Sequence, residues 1–235
     1  MYEHDVIVVG AGGAGLRAAI AAHEEGADVA LVTKLHPVRS HTGAAEGGIN
    51  AALHEEDSWD LHAYDTMKGA DYLSDAPAVD TFAQEAPNEV IQLEHWGMPF
   101  SREEDGKVSQ RPFGGLSFPR TTYAGAETGH HLLHTMYEQV VKRGIEVYVP
   151  TPRLKGGFMK FDPAEIPDEK YRDASMLSRW DDWAQPVDLD DMPQLNLIVT
   201  GCVAVTRDGR RCGKGEGYSD LEFGILRELG HDPVP

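Results

Sequence analysis

The chain has 235 residues, with 39 acidic and 21 basic side chains and a formal net charge of −18. Such a surface repels nucleic acid and anionic lipid, which argues against a nucleic-acid-binding protein. No apolar run approaches the length of about eighteen residues that suggests a membrane span. Only two cysteines, Cys202 and Cys212, are present and no basic leader precedes the first strand. These features predict a cytoplasmic protein without a disulfide framework.

The first predicted elements form a βαβ unit. Residues 5–9 read as a buried parallel strand because Val6 to Val9 are all β-branched. A glycine-rich turn follows, then an alanine-rich helix over residues 16–25 that Gly26 closes, and a second strand over 28–32. Strand, turn, helix and strand within about thirty residues match the size of such a unit.

The turn between the first strand and the helix fits the pattern G-x-G-x-x-G. In this pattern the first glycine permits a tight turn, the second lets the backbone approach a pyrophosphate, and the third lets the helix pack on the strand. Free N–H groups at the helix start then favour phosphate. The alternative is a tight turn that binds nothing. The predicted nucleotide-binding residues are Gly10, Ala11, Gly12, Gly13, Ala14 and Gly15.

The end of the second strand distinguishes between two dinucleotides. An NAD-binding unit usually carries an acidic residue there, which holds the ribose. This sequence has Thr33 and Lys34 at that place. A lysine can reach a phosphate or a ribose oxygen, but it does not fit the NAD pattern, so the sequence favours FAD.

Two amphipathic helices are predicted further on, over residues 78–95 and 130–143, and the second is followed by Gly144 and a strand over 145–148. Three histidines recur at helical spacing in the second helix. A metal site and a polar helix face are both open readings; the polar face is favoured because no matching acid or cysteine ligands accompany them, and no metal is predicted. The histidines are His130, His131 and His134.

A double-proline stretch, Val149-Pro150-Thr151-Pro152, neither continues a helix nor suits a central strand. It predicts a domain boundary, with a first domain over residues 1–149 and a second over 150–235. The predicted fold is α/β: a Rossmann-like FAD-binding βαβ domain followed by a smaller, incomplete αβ segment.

The segment after the second strand makes the interpretation specific. Residues 1–148 resemble the flavoprotein subunit of succinate dehydrogenase, in particular its archaeal salt-loving versions, and are similar to fumarate reductase. Besides the glycine turn, the runs that carry this resemblance are residues 39–42, 46–50, 62–69, 93–95, 97–102, 110–115 and 128–130.

The resemblance implies an oxidoreductase of the tricarboxylic acid cycle that binds FAD and converts succinate to fumarate. It implies that His41 bonds covalently to the flavin; the alternative is a loop histidine that only hydrogen-bonds FAD. Gly47 and Gly48 would let the backbone lie close to the flavin ring. Glu46, where the family commonly has glutamine, and Phe113 match positions near the dicarboxylate. The further cofactor-binding residues are Thr33, Lys34, Arg39, Ser40 and Thr42.

The residues that complete catalysis in this family lie in a capping domain beyond residue 150, and this sequence has no matching region. The catalytic residues are therefore unknown, and we expect a truncated or chimeric form that does not oxidise succinate at a useful rate alone. In the intact family the flavoprotein works beside an iron–sulfur subunit and membrane anchor subunits, peripherally on the cytoplasmic face of the membrane.

Residues 150–235 resemble a different family, part of a 5-formyltetrahydrofolate cyclo-ligase of the methenyltetrahydrofolate-synthetase-like branch. A predicted strand (195–199) leads through a glycine-rich basic loop to a predicted helix (221–229), an arrangement that suits ATP and magnesium. For this loop, the alternative is a glycine-rich connection with solvated basic residues. For the whole chain, a third hypothesis is a non-catalytic αβ protein that binds a nucleotide weakly or not at all. The candidate nucleotide-loop residues are Gly213, Lys214, Gly215, Gly217, Tyr218 and Asp220.

Overall fold

The computed structural model describes residues 4–150, 158–176, 178–192, 198–200, 204–205 and 211–212, with positions 224, 228 and 230. The chain divides into two compact units. The first unit comprises residues 1–40 and 136–235, and the second comprises residues 41–135. Each is described by itself.

The strands and helices alternate along the first half of the chain. The helices are α1 (Gly13–Glu24), α2 (Trp59–Gly69), α3 (Ala76–His95), α4 (Thr128–Lys142) and α5 (Tyr171–Ala174). The strands are β1 (Val6–Val9), β2 (Val29–Val32), β3 (Ile49–Asn50), β4 (Gln110–Arg111), β5 (Thr121–Thr122), β6 (Glu146–Pro150), β7 (Phe158–Phe161), β8 (Gln185–Val187), β9 (Ile198–Thr200), β10 (Ala204–Val205) and β11 (Arg211–Cys212).

The first unit is built on a six-stranded sheet in the order β8-β7-β6-β2-β1-β9. Strands β9, β1, β2 and β6 run parallel, whereas β7 and β8 are antiparallel to their neighbours. Ile7 on β1 and Leu31 on β2 are fully buried, as expected for apolar parallel strands with neighbours on both sides. The predicted α/β fold and both predicted strands of the βαβ unit are confirmed.

Helix α1 begins at Gly13, three residues before the predicted start. The difference arises because the turn is shorter than its glycine content suggests: Gly13 and Gly15 already lie in the first helical turn. Gly26 adopts φ +89° after the helix and donates its N–H to the carbonyl oxygen of His23 at 2.9 Å, which ends the helix as predicted.

The predicted domain boundary falls within one sheet. Strand β6 extends to Pro150, and Pro150 pairs with Phe158 of the antiparallel β7. The Nζ atom of Lys160 on β7 lies 2.7 Å from the Glu146 carboxylate on β6. Residues on both sides of the double-proline stretch therefore belong to the first unit. The division into domains 1–149 and 150–235 rests on the two family resemblances and stays a prediction.

The second unit contains α2, α3 and a small sheet in the order β3-β5-β4. Helix α2 was not predicted; Ser58 begins it by accepting a hydrogen bond from the N–H of Leu61 at 3.4 Å. Helix α3 starts two residues before the prediction, where Asp75 caps it and accepts a bond from the N–H of Ala78. Ala63, Val79 and Ala83 form a buried cluster between the two helices.

Only parts of the later predicted elements are described. Strand β9 (Ile198–Thr200) overlaps the end of the strand predicted over 195–199 and pairs in parallel with β1. The candidate nucleotide loop, residues 213–220, lies outside the described residues, and so does the predicted helix 221–229 apart from the helical positions 224 and 228. Among the helices that are described, none combines the length and apolar character needed to cross a membrane.

Candidate functional site

The glycine turn has the backbone conformation that its sequence requires. Gly10 adopts φ +111°, a left-handed conformation that side chains disfavour. Its N–H donates to the carbonyl oxygen of Val32 at 2.7 Å, which fixes the turn to the end of β2. The turn therefore lies at the carboxyl ends of two neighbouring parallel strands, where open α/β sheets bind ligands.

Gly15 brings the first turn of α1 against this loop. A Cβ atom added to Gly15 would lie 1.7 Å from the carbonyl oxygen of Gly10 and 3.6 Å from a methyl carbon of Val8 on β1. No side chain fits in that space. The third glycine of the pattern thus has the packing role predicted for it.

The start of α1 has features that favour an anion. Gly12, the residue before the helix, has extended backbone (φ −77°, ψ −178°) and, as a glycine, provides no side chain to cap the helix. The first turn contains no acidic residue. The N-terminal end of a helix carries a partial positive charge and N–H groups that seek acceptors. These features fit a diphosphate group.

The predicted residues that follow β2 are held differently from one another. Thr33 is buried, and its hydroxyl donates to the carbonyl oxygen of Leu35 at 2.8 Å. Lys34 is half-buried and Arg39 is exposed. Ser40 Oγ is buried and has no hydrogen-bond partner among the described residues. Thr33 thus shapes the loop, whereas Ser40 keeps a buried hydroxyl group without a partner in the described part of the chain.

In the second unit, His41 opens a short 3₁₀ turn, His41–Ala44, and its side chain is exposed. The turn rests on the first turn of α4: the N–H of Gly129 donates to the carbonyl oxygen of Ala45 at 2.8 Å. A Cβ atom on Gly129 would lie 1.9 Å from the carbonyl oxygen of Thr42. The exposed imidazole of His41 therefore lies on a turn that the start of α4 holds in place.

The two residues predicted to lie on the substrate side, Glu46 and Phe113, belong to the same part of the second unit. A Cβ atom on Gly47 would lie 2.9 Å from Cζ of Phe113, so the phenyl ring lies against the glycine that follows Glu46. Glu46 is exposed, and Phe113 is 53% exposed. Both side chains are therefore accessible on the same part of the second unit.

Position 48 requires glycine because of its backbone conformation and its close neighbour. It adopts φ +124°, and a Cβ atom there would lie 2.3 Å from the carbonyl oxygen of Thr122 on β5. The prediction assigned this glycine to close approach of a ligand. Close approach of the neighbouring strand already requires it, whatever binds.

No role was predicted for Arg111, although it lies within one of the runs that carry the resemblance. Its Nη2 atom donates to the carbonyl oxygens of Glu46 and Gly47 at 3.0 and 2.7 Å. Its guanidinium carbon lies 4.2 Å from the centre of the Tyr123 ring. An arginine beside Pro-Phe-Gly-Gly is the only sequence signal, and it does not reveal these partners.

A buried ionic network was also missed. Arg120 is fully buried; its Nε and Nη2 atoms donate to both carboxylate oxygens of Asp57, and its Nη1 atom donates to Asp65 at 2.5 Å. Hydrogen bonds to Asp57, and then to Asp65, raise the pKa of Arg120 despite burial. Burial alone would raise the pKa of Asp65, but hydrogen bonds from Ser117 and Arg120 lower it. Arg120 and Asp65 are therefore both charged at neutral pH.

His62 lies beside this network and is fully buried. Burial, together with the charge of Arg120, lowers the pKa of His62, so the imidazole is neutral at pH 7. Neither ring nitrogen has a hydrogen-bond partner among the described residues. His62 is therefore a core residue.

The three histidines of α4 lie near one another. The ring centres of His130 and His134 are 4.4 Å apart, and those of His130 and His131 are 5.8 Å apart. Within the described ranges, no group of three or more histidine, cysteine or acidic residues could hold a metal ion.

The second unit also contains an open cavity of about 1080 Å³. Charged residues of both signs line it, among them Glu55, Glu94, Arg102, Glu103 and Lys107. None of the predicted site residues is among its lining residues. The cavity is therefore distinct from the predicted cofactor segments.

Two protein families match the chain. The FAD binding domain family matches residues 5–154, and the 5-formyltetrahydrofolate cyclo-ligase family matches residues 129–235. The first match covers well over half of the chain and includes the glycine turn, His41 and Phe113. The two matches overlap over residues 129–154.

Similar proteins include flavoprotein subunits of two named enzymes. The fumarate reductase flavoprotein subunit of Mycobacterium tuberculosis is 52% identical over 141 residues, covering 59% of this chain and 24% of the relative. The succinate dehydrogenase flavoprotein subunit of Rickettsia felis is 49% identical over 158 residues, covering 63% of this chain and 26% of the relative. The chain therefore spans about a quarter of the length of these relatives.

Solved structures similar to this chain also belong to fumarate reductase and succinate dehydrogenase complexes. The Escherichia coli quinol fumarate reductase aligns with a TM-score of 0.60 at 40% identity, covering 68% of this chain and 29% of that chain. The Mycobacterium smegmatis Sdh1 complex in the apo form aligns with a TM-score of 0.58 at 45% identity, covering 60% and 24%. The predicted resemblance to succinate dehydrogenase and fumarate reductase flavoproteins is confirmed over this part of the chain.

Proposed function

The chain belongs to the FAD binding domain family, and from this premise we propose that it is an FAD-binding flavoprotein of the succinate dehydrogenase and fumarate reductase class. The observation that carries the proposal is the start of α1. There the close contact between Gly10 and Gly15 draws the N-terminal end of a helix, which begins on glycines, against a parallel sheet. That arrangement suits the diphosphate of a dinucleotide.

The residues fit the cofactor in each unit taken separately. In the first unit, Gly12 would admit the diphosphate and Lys34 would face a phosphate or ribose oxygen. In the second unit, His41 would bond to the flavin, with Gly47 and Gly48 near its ring. Bound FAD would supply a hydride acceptor; the protein groups would bind and orient it.

A visible absorption spectrum and an FAD titration test this proposal. We expect the purified chain to carry flavin or to take it up, with quenching of flavin or tryptophan fluorescence on addition of FAD. NAD added at the same concentration is the control ligand and is expected to have no effect. A chain that neither purifies with flavin nor binds added FAD would refute the proposal.

The similar flavoproteins suggest a substrate class and partners for this chain. Succinate and fumarate are the proposed substrate class, with Glu46 and Phe113 on the substrate side. An iron–sulfur subunit, with membrane anchor subunits, is the proposed partner. The resemblance places the residues that complete catalysis in a capping domain, and residues 150–235 do not match that domain, so hydride transfer by residues 1–235 would lack its near-attack geometry. We expect no dye-coupled succinate oxidation by this chain alone, and clear turnover would contradict that expectation.

A second candidate function rests on the match of residues 129–235 to the cyclo-ligase family. It proposes ATP and magnesium binding by the loop 213–220, which lies outside the described residues. ATP-dependent appearance of methenyl-folate absorbance from 5-formyltetrahydrofolate would support it. Lys214→Ala should abolish that signal, whereas Lys142→Ala, on α4, should leave it.

A further inference from the structure

Arg111 links two features of the second unit through one guanidinium group. One face of the group lies over the Tyr123 ring, with 4.2 Å between the guanidinium carbon and the ring centre. Its Nη2 atom donates to the main-chain oxygens of Glu46 and Gly47 at 3.0 and 2.7 Å. Arg111 and Tyr123 lie on or beside β4 and β5, so the sheet carries the group to the segment.

These bonds determine where the neighbouring N–H groups point. In a planar trans peptide the N–H of one residue is directed opposite to the carbonyl of the residue before it. The carbonyls of Glu46 and Gly47 converge on Arg111, so the N–H groups of Gly47 and Gly48 point away from it. Within the described part of the chain, neither N–H donates a hydrogen bond to another group. Two successive donors thus remain available on the side opposite Arg111.

We propose that Arg111 is a positioning residue, which holds the Glu46–Gly47 main chain so that the N–H groups of Gly47 and Gly48 act as paired donors to acceptor atoms of the flavin ring. The proposal rests on the proposed FAD-binding function. Arginine suits the task because its planar group can stack on an aromatic ring and donate two bonds in fixed directions. Phe113, which lies against Gly47, limits movement of the same segment.

The test compares Arg111→Gln with wild type, using FAD as the ligand. We expect the Kd for FAD to rise about tenfold, because two charge-assisted bonds are lost and the donors are no longer held in place. In the wild type, hydrogen–deuterium exchange of residues 46–49 should slow when FAD binds; in Arg111→Gln this protection should be lost. Arg111→Lys, which keeps the charge without the fork, should restore only part of the protection.

Arg102→Gln is the matched control, since Arg102 is an exposed arginine of the same unit that pairs with Glu94. It should leave both FAD affinity and exchange at residues 46–49 as in the wild type. Tyr123→Leu removes the stacking surface alone and should weaken FAD-dependent protection in the same direction. It provides a second measurement if Arg111→Gln fails to fold.

The outcomes separate the two proposals. If the wild type binds no FAD, the proposed function fails and this inference fails with it. If the wild type binds FAD but Arg111→Gln shows the same affinity and the same protection at residues 46–49, Arg111 has no positioning role, and FAD binding stands. Loss of thermal stability with unchanged FAD-dependent protection would show a purely structural role and overturn the inference.

Discussion

The first turn of α4 leaves no room for a side chain between Gly129 and Thr42. A Cβ atom on Gly129 would lie 1.9 Å from the Thr42 carbonyl oxygen and 3.0 Å from the Ala45 Cβ atom. The turn that carries His41 is therefore placed by a residue 88 positions later in the sequence (129 minus 41). Covalent attachment of flavin should depend on this contact.

Gly129→Ala is expected to displace the His41 turn and to reduce acid-stable flavin at least severalfold. The added methyl group meets backbone, which cannot rotate away, so overpacking should cost about 1–3 kcal/mol of unfolding free energy. Urea unfolding and flavin absorbance of the acid-precipitated protein measure the two effects. Gly69→Ala is the control, because a Cβ atom there meets nothing within 4 Å; it should be neutral or slightly stabilising.

His41→Ala is expected to abolish acid-stable flavin and to leave non-covalent FAD binding within a few-fold of wild type. The exposed side chain makes little contribution to the fold, so thermal stability should not change. The measurement is flavin absorbance before and after acid precipitation, with His54→Ala as an exposed-histidine control in the same unit. Acid-stable flavin in His41→Ala would transfer the attachment to another residue.

Gly12→Val tests the turn without straining the backbone. Gly12 has φ −77°, which valine adopts readily, whereas Gly10 has φ +111° and Gly15 has no space for a Cβ atom. We expect Gly12→Val to fold normally and to lose FAD binding at least tenfold, because the side chain would occupy the space of the diphosphate. Circular dichroism and an FAD titration measure the two effects.

Gly15→Ala should behave in the opposite way to Gly12→Val. Its Cβ atom would overlap the Gly10 carbonyl oxygen at 1.7 Å, so the fold itself should be destabilised, with or without FAD. Retained FAD affinity in Gly12→Val would exclude the turn as the binding element.

The lowered pKa of Glu146 predicts that the first unit loses unfolding free energy at acidic pH. Burial would raise its pKa, but hydrogen bonds from His4, Lys160 and Tyr148 outweigh burial and lower the pKa to about 2, from an ordinary 4.5. The folded state therefore favours the ionised carboxylate. Its stabilisation is present above about pH 4.5 and is lost as the pH falls from 4.5 towards 2.

Glu146→Gln should lower stability at pH 7 and flatten the dependence of the urea midpoint on pH between 4.5 and 2. Glu138→Gln is the control, because the Glu138 carboxylate forms a half-exposed ion pair with Lys142 four residues further along α4. Its profile should follow that of the wild type. An equally steep acid limb in Glu146→Gln would assign the loss to other carboxylates.

The sequence predicted the features that depend on neighbouring residues. Glycine spacing predicted the turn, because the conformations at Gly10 and Gly15 are consequences of local backbone geometry. It did not reveal that a neighbouring strand also requires glycine at position 48, since that strand contains Thr122, 74 positions away (122 minus 48). The spacing of glycines along the chain does not indicate contacts between residues that are far apart in the sequence.

Arg111 and Arg120 were missed for a related reason. Charged residues are ordinarily expected on the surface. Nothing near Arg120 in the sequence shows that it binds the carboxylate of Asp57, which lies 63 positions earlier. Helix α2 was missed because its buried face includes the polar residues His62 and Asp65. Patterns of apolar residues do not detect a helix that buries an ionic network.

The Arg120 network gives the sharpest stability prediction. Arg120→Met would leave the carboxylates of Asp57 and Asp65 buried without their shared cation, and removing one partner of a buried ion pair costs about 3–5 kcal/mol. Arg102→Met, at an exposed ion pair with Glu94, should cost about 1 kcal/mol or less. Because Arg120 lowers the pKa of Asp65, the loss in Arg120→Met should shrink as the pH falls and Asp65 takes up a proton. Urea unfolding at pH 7 and pH 5 measures this, and equal costs for the two arginine variants would show that the buried network does not stabilise the second unit.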